Sequence, residues 1–387
     1  MTITTLTTTQ ELAQFCARAA DHPFVTIDTE FMRERTYYSQ LCLVQLAIPE
    51  DGPDSAVLVD PLATGMSLEP LYKLFADTSV VKVFHAARQD LEIFYFDGKC
   101  FPMPLFDTQV AAMVCGFGEQ VGYETLVKRI VNEPVDKSSR FTDWSRRPLS
   151  DAQKIYALAD VTHLRTIYTS LAESLDKQGR RKWVDEELEV LTNPATYVIQ
   201  PEEAWKRVKT RTTTARFMAV VAKLAEFRER YAQTRNVPRS RVYKDDALVE
   251  LASAKPAQPG DLGKLRLLLR DARKGDIAEG ILTAVAEGLA MAPEDVPRPD
   301  RSREKLSVNP ALADLLRVLL KAKSEKAGVA QKLVASAADL DLIAAGERDV
   351  AALRGWRAEV FGSDALSLCN GEIALAARGH DVVIVPL

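Results

Sequence analysis

The chain lacks most of what would place it in a membrane, in a disulfide-stapled fold or around a zinc ion. No apolar run approaches the ~18 residues that a bilayer-crossing helix needs. No basic stretch followed by an apolar one opens the chain, so a cytoplasmic location with no membrane attachment is expected. The five cysteines, Cys16, Cys42, Cys100, Cys115 and Cys369, are odd in number and form no C-x-x-C pair, which fits a reduced protein without structural disulfides. Only four histidines occur, at 22, 85, 163 and 380, and none is spaced for zinc, so any metal is expected among oxygen ligands. Positive charge is in deficit as well: the net charge of −4 gives no global field that draws in nucleic acid.

What is present is an ordinary globular balance, with 47% hydrophobic and 27% charged residues over 387 positions, too many for one core. Two or three domains are expected. Charge is unevenly spread. Residues 203–244 hold twelve Lys/Arg against Glu203, Glu226 and Glu229, a local +9 that leaves −13 for the remainder. Such a segment is either a polyanion-binding surface or a solvated, arginine-rich helix face.

The first half alternates strands with helices. Phe24–Glu30, Leu41–Ile48 and Ala56–Val59 read as strands, the last two joined by a Pro/Gly-rich turn over 49–54. A helix near Leu68–Ala76 leads to a further strand, Val80–Phe84, so a parallel crossover joins an antiparallel set in one mixed sheet. Helices are predicted over Leu91–Phe96, Thr108–Cys115, Tyr123–Val131 and Asp151–Leu175. From about Pro201 the pattern turns helical, and the Pro- and charge-rich stretch around 293–300 reads as a linker. Loose likeness between 223–229 and 319–325, and between 267–270 and 354–357, suggests two tandem helical modules.

Three separated segments carry the chemistry. In a strand, Asp28 and Glu30 point to one face. Two carboxylates that close repel each other unless a cation sits between them. Asp90 opens a helix after the buried-looking strand Val80–Phe84, where a capping role is an alternative to metal binding. His85 reads as a packed or hydrogen-bonded residue rather than a ligand. Tyr156 and Asp160 lie four apart in a strong helical pattern, so they share a face. A tyrosine hydroxyl beside a metal-binding aspartate can orient or deprotonate a water, although its ordinary pKa of about 10 makes it a poor base without nearby metal charge. Phosphodiester cleavage needs such a set: two ions about 3.5–4 Å apart serve the attacking and leaving oxygens. Three or four carboxylates can hold them, with water and phosphate filling the remaining positions.

The segments around Asp28–Glu30, Asp90 and Tyr156–Asp160 resemble the three motifs of the DEDD superfamily of 3′→5′ exonucleases. The tyrosine four residues before the last aspartate resembles the DEDDy branch. The histidine branch would place its base at position 155, here Ile155, which argues against His163. The stretches 28–34, 85–92, 106–112, 136–138 and 142–149 are similar to the bacterial ribonuclease D family, and the helical C-terminal half resembles its tandem HRDC modules. The resemblance implies an α/β exonuclease domain with a mixed, ribonuclease H-like sheet over residues 1–195. It further implies a first all-α HRDC-like module over 205–292, a linker over 293–308 and a second such module over 309–387. By position, Asp28, Glu30, Asp90 and Asp160 are the expected ligands of two divalent ions, Mg²⁺ or Mn²⁺, and Tyr156 the residue that activates water. Asp107 is expected in a structural role. Lys137, Arg146 and Arg147 are candidate phosphate contacts, with a salt-bridged loop buttress as the alternative. Trp144 is expected in the core rather than as a base-stacking platform.

The activity implied is metal-dependent 3′→5′ hydrolysis of RNA with a single-stranded 3′ end, releasing 5′-mononucleotides, with precursor tRNA as the substrate class and no obligatory protein partner. The basic segment 203–244 then gains a purpose as a second grip on RNA. The second module, less basic, is expected to serve as architecture. The rivals are a DNA 3′→5′ exonuclease of proofreading or repair type, since the metal chemistry does not require a 2′-hydroxyl, and a non-catalytic RNA-binding scaffold. The presence of all five site residues argues against decay.

Overall fold

The apolar run Phe24–Ile27 lies at the heart of a six-stranded sheet. The protein is described by a computed structural model covering residues 3–52, 54–136, 139, 142–298 and 307–387. Strands β1 (Thr5–Leu6), β2 (Phe24–Met32), β3 (Gln40–Ala47), β4 (Ala56–Val59), β5 (Val81–Phe84) and β6 (Leu105–Asp107) stand in the order β1-β4-β3-β2-β5-β6. β3 and β4 are antiparallel, as a short connection requires; β1 runs parallel to β4, and β5 parallel to both β2 and β6. The sheet is mixed, as expected.

Around it lie α1 (Thr9–Ala20), α2 (Glu69–Ala76), α3 (Arg88–Gly98), α4 (Thr108–Val114), α5 (Tyr123–Leu126), α6 (Asp151–Gln178) and α7 (Arg181–Leu191). α6 is the helix that matters most for the site. Ser150 and Gln153 close a reciprocal capping box at its start, and Gly179, at φ +65°, ends it. Its buried stripe of Ala157, Val161, Leu164, Ile167, Leu171 and Leu175 follows the helical period and faces the sheet. Thr26 on β2 donates to the Val161 carbonyl at 2.8 Å, and the Tyr168 ring packs 4.5 Å from Phe24 and 4.9 Å from Phe106. The middle of α6 is thereby held over the strand that carries Asp28 and Glu30.

The chain forms two compact units. One takes residues 1–30, 42–193 and 302–387; the other takes 31–41 and 194–301. The second unit contains α8 (Ala215–Arg235), α9 (Arg239–Val242), α10 (Asp245–Ala254), α11 (Pro259–Leu262) and α12 (Gly275–Ala290), around a core that includes Val220, Leu224, Leu248, Leu251 and Ile281. α12 approaches α8 closely at Gly288, where a Cβ would stand 2.7 Å from the Val220 Cα. The segment Phe31–Leu41 belongs to this unit because Tyr37 anchors it there. Its hydroxyl meets the buried Glu229 carboxylate and receives Arg239 Nη2 at 2.9 Å, while Asn236 Oδ1 accepts the amides of Tyr37 and Tyr38.

The C-terminal segment holds α13 (Pro310–Ala327), α14 (Gln331–Val334), α15 (Ala337–Ala344), α16 (Gly355–Arg357) and α17 (Ser363–Cys369). It ends in an antiparallel hairpin of β7 (Ile373–Arg378) and β8 (Asp381–Pro386), which the all-helical expectation for this segment did not include. A turn at Gly379, φ +65°, and the β-branched run Val382–Val385 favour strands there. This segment is built onto the sheet-bearing unit. Trp356 stacks on Trp183 at 4.7 Å with the rings 13° apart, and its Nε1 donates to Glu187 at 3.3 Å. Arg180 donates to the Ala327 carbonyl at 2.7 Å, and the Ala330 amide to that of Met113 at 3.0 Å. Half of the expected linker over 293–308, residues 299–306, lies outside the described residues; Val296, within its expected bounds, is buried in the core of the second unit.

Candidate active site

β2 lies between β3 and β5, and its C-terminal half brings Asp28 and Glu30 up beside α6. Ligand oxygens of Asp28, Glu30 and Asp160 lie within 4.8 Å of one another. Residues 130 or more positions apart in sequence therefore share one small volume. Burial, followed by the negative charge of Asp160, pushes the Asp28 carboxyl well above the usual carboxylate range. Asp90, in the first turn of α3, is outside that group of three. It is buried, and its Oδ1 accepts the hydroxyl proton of Thr29. Burial and then the Asp28 charge push its carboxyl well up too. Repulsion of this kind within an all-oxygen donor set fits a divalent cation.

Tyr156 sits one turn before Asp160 on α6 and borders the same cleft, of about 370 Å³, with Asp28, His85, Gln109 and Tyr123. Its ring centroid is 6.0 Å from that of Trp144, which is buried as expected. Sequence reading missed Tyr123. Its hydroxyl donates to the carbonyls of Ala159 and Asp160, 2.8 Å to each, and so fixes the turn of α6 that presents Asp160. Burial and then the Asp160 charge raise its phenol well above the ordinary range, which keeps it a donor. A tyrosine opening a short helix carries no sequence signal of that role. Thr29 was legible as a position inside the D-x-E triplet, yet its bond to Asp90 depends on the β5–α3 connection.

That connection has its own support. Asp107, buried at the end of β6, caps α4 through the amides of Gln109 and Val110, and also accepts from Ala86 at 3.0 Å and Ala87 at 2.9 Å. Ala86 is held at φ +57°, a conformation that costs a non-glycine residue on the order of 1 kcal/mol. The expected structural role of Asp107 takes this concrete form. His163 lies 3.6 Å from Glu133.

The candidate phosphate contacts fare differently. Lys137 lies outside the described residues. Arg147 requires a correction. Its five N–H groups meet both Asp60 oxygens, at 2.6 and 2.7 Å, and the carbonyls of Cys42, Trp144 and Arg146. The guanidinium has no donor left for phosphate; it is a loop buttress. Arg146, by contrast, has an 84% exposed side chain and, among the described residues, one long ion pair, to Asp143 at 3.4 Å.

In the basic segment, ion pairs engage Lys206, Lys223, Arg228, Arg230, Arg235 and Arg239. Arg207, Lys209, Arg211, Arg216, Arg241 and Lys244 are exposed, and four of these crowd into 207–216.

Comparison with known proteins shows the family. The 3′-5′ exonuclease family matches residues 3–176, and the HRDC domain family matches 217–285. Ribonuclease D of Jannaschia sp. (strain CCS1) is 64% identical over 381 residues, covering 98% of this chain and 99% of its own. Ribonuclease D of Nitrobacter hamburgensis is 49% identical over 381 residues, covering 98% of each. Among solved structures, Escherichia coli RNase D, described as an exoribonuclease involved in structured RNA processing, superposes with a TM-score of 0.83 at 28% identity, over 96% of this chain and 99% of that one.

Proposed function

The chain belongs to the ribonuclease D family, and from that premise we propose that it trims 3′ extensions of precursor tRNA, releasing 5′-mononucleotides through two-metal hydrolysis. That it is a 3′-5′ exoribonuclease acting on RNA follows from the family. The site residues, the number of ions and the tRNA substrate are our reading.

In that reading Asp28, Glu30, Asp90 and Asp160 hold two divalent ions, Mg²⁺ or Mn²⁺. When bound, such ions lower the pKa of a coordinated water and neutralise charge on the scissile phosphate. The protein's own contribution is placement. β2 supplies two ligands from a rigid central strand, α3 supplies Asp90 locked by Thr29, and α6 supplies Asp160 locked by Tyr123. Tyr156, one turn from Asp160, orients the attacking water and takes part in its deprotonation. Arg146, and the exposed cations of 207–216, draw the RNA backbone in. Residues 309–387 form a second HRDC-like module with an architectural role. No helix among the described residues is long and apolar enough to cross a membrane, and the proposed setting is the cytoplasm.

The observation that carries the proposal is the meeting of Asp28, Glu30 and Asp160 within 4.8 Å beside Tyr156. The test is a 5′-labelled tRNA with a 3′ extension, incubated with Mg²⁺ or Mn²⁺, with and without chelator, next to a DNA strand of matching sequence. A ladder retreating from the 3′ end, with nucleoside 5′-monophosphates released and chelator abolishing both, is expected. Metal-independent cleavage, or equal digestion of DNA, would count against it.

A further inference from the structure

We infer that His85 is a specificity residue: its Nε2 accepts a hydrogen bond from a ribose hydroxyl of the RNA's 3′-terminal nucleotide. This rests on the exonuclease reading above and adds to it a group that tests for the sugar.

One proton decides the tautomer of His85. Thr108 Oγ1 lies 3.0 Å from the Phe84 carbonyl oxygen and 3.0 Å from His85 Nδ1. The carbonyl can only accept, so the single hydroxyl proton of Thr108 points at Phe84. The remaining contact is then a hydrogen bond only if Nδ1 carries the proton and Thr108 receives it. In the neutral ring that leaves Nε2 as an unprotonated acceptor. The ring is kept neutral by its burial, which depresses its pKa and outweighs the nearby Asp107 charge. His85 is half-buried and borders the cleft that holds Asp28, Tyr156 and Asp160, and no partner for Nε2 exists among the described residues.

The imidazole is also held in place. Tyr123 packs against one side at 5.6 Å, and the backbone just after it is pinned by the bonds from Ala86 and Ala87 to Asp107. A fixed acceptor on a substrate cleft calls for a donor on the substrate. Phosphate oxygens at neutral pH offer none. Exocyclic amines vary from base to base. Ribose hydroxyls are the donors that every RNA 3′ end shares, and the 2′-hydroxyl is what separates it from DNA.

The experiment uses the full chain and three oligoribonucleotides differing in the last sugar: ribose, 2′-deoxyribose or 3′-deoxyribose. The wild type is expected to lose about tenfold in kcat/KM for whichever deoxy end removes the donor. His85→Asn keeps a polar group near the Nδ1 position to meet Thr108 but has nothing at Nε2. It is expected to be slowed on the ribose end and to treat the deoxy end no worse. His85→Gln, whose amide oxygen reaches toward the Nε2 position, is expected to restore most of the difference. Because the readout is a ratio within each variant, partial misfolding does not mimic it. His85→Asn that keeps the wild-type penalty, or a wild type indifferent to both deoxy ends, would overturn the inference. A wild type that shortens none of the three RNAs would sink the exonuclease reading with it, and is distinguishable from the first two results.

Discussion

Two regions of this molecule concentrate charge, and they handle it in opposite ways. In the sheet-bearing unit, three carboxylates are driven together within 4.8 Å, and a fourth is buried against Thr29. In the helical unit, a stretch with a local charge of +9 sets half of its basic side chains against acids: Arg230 between Glu202 and Glu226, Arg228 against Asp245, Arg239 against the buried Glu229. Like charges held close without neutralisation raise free energy, and a protein keeps such an arrangement where a ligand relieves it. Neutralised charges are structural. The lesson is that charge counted along a chain says little until the partners are known.

The strongest way to break the contrast is to remove one of the crowded carboxylates. Asp28→Asn or Asp160→Asn is expected to lower kcat on an end-labelled RNA by on the order of 10³-fold or more, while folding normally. Retained trimming by either variant would mean that the cluster is not the reaction centre. Next in size is Tyr156→Phe, expected to cost about 10²-fold in kcat with little change in the metal concentration needed for half-maximal rate. A shifted metal requirement at unchanged kcat would instead make it a ligand-orienting group.

The helical unit offers a sharper division. Replacing Arg207, Lys209, Arg211 and Arg216 together by Gln is expected to raise KM about tenfold and to reduce the slope of log affinity against log salt by about 3, at ~0.7 per phosphate contact on single strands. The paired residues Arg230 and Arg235, changed in the same way, are expected to leave that slope nearly unmoved. Equal effects in the two sets would erase the distinction.

The smallest effect concerns pH. Burial and mutual repulsion raise the carboxyls of Asp28 and Asp90 in the metal-free fold. Between their ordinary value of about 4 and that raised value, the folded chain holds protons that the unfolded chain has released. Stability of the metal-free protein is therefore expected to fall as pH rises through that window, by a few degrees in thermal midpoint. Mn²⁺ or Mg²⁺ should restore it, more at pH 8 than at pH 5. A midpoint insensitive to metal at both pH values would remove the cation from this cluster.

Much of this was legible in the chain, for identifiable reasons. The D-x-E alternation on a strand and the four-residue spacing of Tyr156 and Asp160 on a helix are local patterns, so their faces follow from periodicity. What escaped is what periodicity cannot carry. β6 is three residues long, too short to alternate, yet it places Asp107. α1 does carry a legible start, the Thr8/Glu11 capping box, that the strand-centred reading passed over. Arg146 and Arg147 are neighbours of identical type with opposite fates. One is exposed and the other is locked into Asp60, a choice made by a residue 87 positions away. Tyr123 and the Thr108–His85 contact depend likewise on which loops meet.

The paired indoles of Trp183 and Trp356 bear on how the protein can be shortened. They form a seam between α7 and the C-terminal helices, reinforced by Arg357 on Glu187 and by Arg180 lying 4.7 Å over Trp183. A shortened version ending before α13 would strip cover from an aromatic ring and a half-buried glutamate. Laboratories wanting the hydrolytic portion alone should therefore retain the tail and delete from the middle, and can follow the integrity of what remains by its intrinsic fluorescence.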